Sequence, residues 1–126
     1  MTMRTPFGTI TGLGSAKSGT EHFWMQRLTA LANVPLVTFV VGFIVVHLGA
    51  DRAAVVGSLH NPFVAIPMSL AIISVTWHMR LGLQVVIEDY VHGHAAKLLS
   101  LVLNTFYSTA LGVAGLYAIL KMSFGL

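Results

Sequence analysis

From Leu28 onward the chain alternates long apolar stretches with short polar connections. A helix needs about 20 mostly apolar residues to cross a bilayer, and three segments reach that length. The first covers about Leu28–Leu48, LTALANVPLVTFVVGFIVVHL, behind an amphipathic lead-in at Glu21–Arg27. Pro35 is expected to bend it one turn earlier, near Leu31. The second covers about Pro62–Ile87, with Asn61 as N-cap and Pro62 at the first helical position. The third covers about Leu98–Leu120, LLSLVLNTFYSTALGVAGLYAIL. Short connections at Gly49–Asn61 and Glu88–Lys97 join them, and no internal repeat or second domain is evident. The expected fold is an all-α membrane protein with three transmembrane helices. Residues 1–20 are expected to form a flexible cytoplasmic tail and residues 21–126 the membrane domain.

Composition agrees with this pattern. Hydrophobic residues make up 56% of the chain and charged ones only 9%, against about 25% charged in soluble domains. The mean hydropathy is +0.82. A net charge of +3, without a basic run or face, excludes nucleic acid as a partner. The absence of cysteine excludes disulfides, Cys-held iron–sulfur clusters and covalently attached haem within this chain. The N-terminal MTMRTPFGTITGLGSAKSGTEHF lacks an apolar stretch after Arg4, so it reads as a tail rather than a signal peptide. Arg4, Lys17, Arg27 and Lys97 fall on one side of the expected crossings, and Arg52 and Lys121 on the other. That bias places the N-terminus in the cytoplasm.

The second helix carries the chemistry. WHMRLGLQVVIEDY puts His78 about 15 Å from the helix end, near mid-bilayer, where ionisable groups are costly. Ser74, His78 and Gly82 recur every four residues and so share a face. Small residues one turn above and below an imidazole leave room for a flat macrocycle, and the pattern points to a haem on His78. A hydrogen bond from His78 to a neighbouring helix is the other reading. Asp89 emerges on the same face about 16 Å further on, with Tyr90 beside it. A phenol next to a carboxylate can hydrogen-bond a carbonyl and pass a proton. An ordinary interfacial helix end has the same residues.

Other polar groups are less telling. Arg80 lies about 200° around the helix from His78 and faces elsewhere. Arg27 stands where a haem propionate or a lipid phosphate can reach it. His47 and His60 read as structural, and His92 with His94 as solvated loop residues. Ser108, Ala110, Gly112, Ala114 and Gly115 on the third helix allow close approach of another helix, either within the chain or from a partner.

The segments WHMRLGLQVVIEDYVHG and FWMQRLTALANVPL resemble the hydrophobic membrane-anchor subunits of succinate dehydrogenase, the respiratory complex II. The resemblance covers most of the chain from Phe23 onward; the third helix is generic. It implies a subunit of succinate:quinone oxidoreductase in the bacterial inner membrane, one part of a heteromeric helix bundle. The partners would be a second, cytochrome b-type anchor subunit, an iron–sulfur subunit and a flavoprotein subunit. By resemblance, His78 is an axial ligand of a b-type haem shared with the second anchor, and Arg27 lies near its propionates. Asp89 and Tyr90 match the ubiquinone site, where Tyr90 hydrogen-bonds a quinone carbonyl and Asp89 assists proton supply. The resemblance assigns no role to Arg80 or Glu88. Two alternatives stand beside it: a purely structural anchor, and a small transporter or channel subunit without a cofactor.

Overall fold

A computed structural model describes residues 18–125. Four helices follow one another: α1 (Ser18–Val46), α2 (Arg52–Leu59), α3 (Pro62–Tyr90) and α4 (His94–Ser123). The three long ones are long and apolar enough to cross a membrane. At 29, 29 and 30 residues each spans about 43–45 Å, more than the ~30 Å hydrocarbon core. Each therefore extends beyond the expected span. α1 begins at Ser18, so the last residues of the expected tail are helical; the rest of that tail lies outside the described residues. The helix continues through Pro35 without interruption.

α3 starts as its sequence predicts. Asn61 accepts a hydrogen bond from Phe63 N at 3.0 Å, and Pro62 occupies the first turn, where its missing N–H leaves nothing unpaired. The connection between α1 and α3 contains an element that periodicity did not predict. Asp51 Oδ1 accepts from Ala54 N at 2.8 Å and caps α2. Gly49, at φ +79°, makes the turn before it. His47 then ties α2 to the end of α1 by 2.7 Å between its Nε2 and Ser58 Oγ. Its Nδ1 donates to Phe43 O at 2.8 Å, so His47 is structural. Leu59, 2% exposed, plugs the bundle at this end.

The three long helices form a row. Among the described residues α1 and α4 both pack along α3 and do not touch each other, while α2 leans on α3 and α4. α4 meets α3 through small residues: a Cβ at Gly112 would stand 3.1 Å from Thr76 Oγ1, and one at Gly115 2.9 Å from Ile72 Cγ2. Asn104, buried, donates to Arg80 O at 2.9 Å and accepts from Ser108 Oγ at 3.3 Å. Ser108, Gly112 and Gly115 thus serve packing within the chain, whereas Ala110 and Ala114 are exposed. α1 has no buried residue at all. An open row of three helices leaves most of its side chains to lipid or to other proteins.

Candidate functional site

The α1–α3 contact is polar at its centre. His78 turns its ring towards α1, with Nδ1 3.0 Å from Thr29 Oγ1. Ser74, one turn away, donates to Thr29 O at 3.4 Å. Gly82, one turn the other way, faces Gln26, whose Nε2 would lie 3.6 Å from an added Cβ. The expected face of Ser74, His78 and Gly82 is therefore real, but the space beside Gly82 is filled by Gln26 of this chain. The two small residues let α1 approach the imidazole. Arg80 sits on the opposite side, in a cleft of about 250 Å³ between α3 and α4 with Thr76, Trp77, Ser108 and Gly112. Its separation from His78 follows from the helical angle.

α1 contributes a stripe that the sequence reading overlooked. His22, Gln26, Thr29 and Asn33 recur at helical spacing. Three of them hold buried polar atoms without a hydrogen-bond partner among the described residues: His22 Nε2, Gln26 Oε1 and Asn33 Oδ1. Natural proteins leave few such atoms unpaired. Polar residues four, three and four apart within an apolar segment were the available signal.

At the C-terminal end of α3, Gln84 Nε2 donates to Glu88 Oε1 and Lys97 Nζ donates to Glu88 O, both at 2.8 Å. Glu88 is thereby engaged within the chain and ties α3 to the start of α4. His92 Nδ1 donates to Tyr90 O at 3.0 Å. The Asp89 carboxylate and the Tyr90 hydroxyl have no hydrogen-bond partner among the described residues, and Tyr90 is 77% exposed. Arg27, exposed, lies over the Phe23 ring at 4.6 Å. It lines a cleft of about 280 Å³ with Gly19, His22, Gln26 and Val85. Arg27 and the Asp89–Tyr90 pair thus belong to the same end of the row.

The chain matches the model of the succinate dehydrogenase/fumarate reductase transmembrane subunits over residues 1–112. The chain belongs to this family. The succinate dehydrogenase hydrophobic membrane anchor subunit of Rickettsia bellii is 38% identical over 78 residues, 62% of either chain. The succinate dehydrogenase membrane anchor subunit of Reclinomonas americana is 31% identical over 93 residues, 69% of this chain and 75% of that one. For the Paracoccus denitrificans hydrophobic membrane anchor subunit the figures are 27% over 121 residues, 96% and 93%. No solved structure gives a significant match.

The haem expected from the sequence sets a demand on the residues around His78. No group of three or more His, Cys, Asp or Glu residues is placed to hold a metal ion among the described residues. A haem asks for less: one imidazole, fixed through one nitrogen and open at the other. His78 has that form, since Thr29 engages Nδ1 and Nε2 has no hydrogen-bond partner among the described residues. The residues fit.

Proposed function

We propose that this chain is the small membrane anchor of a succinate:quinone oxidoreductase, lying in the bacterial inner membrane with its N-terminus in the cytoplasm. The observation that carries the proposal is His78, an imidazole tethered at one nitrogen and open at the other, on the central helix of a row that does not close on itself. His78 would supply one axial ligand of a b-type haem. Arg27 would neutralise a propionate at the rim of the membrane. The second ligand, and the remaining wall of the pocket, would come from a cytochrome b-type partner subunit. Such a group, when bound, exchanges single electrons.

The quinone-facing chemistry falls to Tyr90 and Asp89. Reducing a quinone to a quinol takes two electrons and two protons. The electrons must come from clusters held by another chain, because this one has no cysteine. A flavoprotein subunit and an iron–sulfur subunit of the complex would supply them from succinate. The Tyr90 hydroxyl would donate a hydrogen bond to a quinone carbonyl and so fix the ring. Asp89, without a hydrogen-bond partner among the described residues, would hold and pass on the protons.

A purely structural anchor is the second reading, and the packing of Ser74 and Gly82 against α1 favours it. Purification of the assembled complex through a tag on this chain separates the two. Co-purification of a flavoprotein and an iron–sulfur protein, with a b-type haem spectrum that disappears in His78→Ala, is the expected result. A spectrum unchanged in that variant removes His78 as ligand.

A further inference from the structure

The hydrogen bonds around Thr29 bear on the tautomer of His78. Its Oγ1 lies 2.7 Å from Met25 O and 3.1 Å from Gln26 O, both carbonyls of the preceding turn. A hydroxyl has one proton, and carbonyl oxygens can only accept. Two carbonyls of its own helix are thus within reach of the Thr29 proton, as is His78 Nδ1. While that proton is held by its own helix, the same oxygen offers lone pairs towards His78 Nδ1, 3.0 Å away. In that arrangement the imidazole carries its proton on Nδ1 and donates it to Thr29, leaving the Nε2 lone pair outward, as a ligand to iron requires. The two nitrogens of a neutral imidazole are distinguished in this way by the partner that one of them finds.

Neighbouring residues hold the arrangement in register. Ser74 Oγ donates to Thr29 O, and Gly82 admits Gln26 one turn away. We infer that Thr29 is a positioning residue for the axial ligand: its hydroxyl selects the Nδ1–H tautomer of His78, aims Nε2, and tunes the electron density that the imidazole gives to iron. This rests on the reading of His78 as a haem ligand. Partners of this kind raise the basicity of a ligating histidine, and their loss typically weakens metal binding about 10–100-fold. A more basic imidazole favours the ferric state, so removing its acceptor should raise the haem midpoint potential.

The test uses the complete complex and three variants of Thr29. Thr29→Val keeps the branched shape and loses the hydroxyl, Thr29→Ala loses both, and Thr29→Ser keeps the hydroxyl alone. Redox titration of the haem and the low-spin ferric EPR g values are read, with His78→Ala alongside. The expected result is a higher potential, shifted g values and haem affinity about tenfold lower or more in Val and Ala, with Ser like the parent. Parent-like potential and g values in Val or Ala overturn the inference, because the hydroxyl then does not matter. So does a Ser variant that shifts or fails to assemble as the other two do, because packing is then the cause. Retention of the haem signal in His78→Ala instead overturns the ligand assignment itself, so the two failures are distinguishable.

Discussion

The Asp89 carboxylate and the Tyr90 hydroxyl make no hydrogen bond among the described residues. The Tyr90 hydroxyl has no intrachain partner among the described residues and the side chain is largely exposed, so Tyr90→Phe removes no contact that supports the fold. Substitutions of that kind usually change stability by no more than about 0.5 kcal/mol. A hydrogen bond to a quinone carbonyl is different, being worth about 1 kcal/mol or somewhat more. Tyr90→Phe is therefore expected to lower succinate-driven quinone reduction about tenfold. Succinate oxidation by an artificial acceptor at the soluble subunits should keep its parent rate. Equal loss of both activities in a two-acceptor assay would show an assembly defect and remove Tyr90 from the quinone site. Glu88, two residues before Tyr90, differs in this respect, since its carboxylate is already held by Gln84.

The helices are held to each other by absence of side chain on one side and by polar grip on the other. On the α4 side, a Cβ at Gly115 would come within 2.9 Å of Ile72 Cγ2, a branch fixed to the Ile72 stem that cannot swing away. Gly115→Val is expected to push α4 off α3 at a cost of about 1–3 kcal/mol. A lower thermal midpoint of the purified complex would register it. Ala114→Val, one residue away on an exposed face, should change that midpoint little. A midpoint equally depressed in both would mean that lipid-facing bulk, and not the α3–α4 contact, sets the effect. The long helices and the Asn61–Pro62 start were legible because span length and capping chemistry are local properties. α2 was not, although Asp51 stands as a cap before it, because eight residues carry too little periodicity to stand out from a loop. The face bearing Ser74, His78 and Gly82 was also legible, but its occupant was not. One helix's period says which residues share a face, and only the packing shows that Thr29 and Gln26 cover this one.

At the scale of the whole molecule, lipid exposure is not what makes the row incomplete. Lipid tails are as apolar as leucine, so outward Val, Leu and Ile side chains lose nothing there. The unpaired polar atoms do. Asn33 Oδ1 is buried without a partner among the described residues, beside a groove of α1 lined by Ala30, Val34, Val37, Thr38 and Val41. An unsatisfied buried acceptor costs about 1–3 kcal/mol, and replacing it with an apolar group of similar size removes that cost. In this chain alone, Asn33→Leu is thus expected to stabilise the row, seen as a higher midpoint in detergent by fluorescence-detected size exclusion. In the full complex, a partner side chain, a water molecule or a cofactor edge has the opportunity to satisfy Asn33, and the same substitution then deletes a hydrogen bond. The complex should accordingly lose stability or assemble in lower yield. Opposite signs in the two settings mark α1 as a surface completed by assembly. The same sign in both would mean that Asn33 is no part of that surface, leaving His22 and Gln26 as the polar atoms that an incoming subunit must meet.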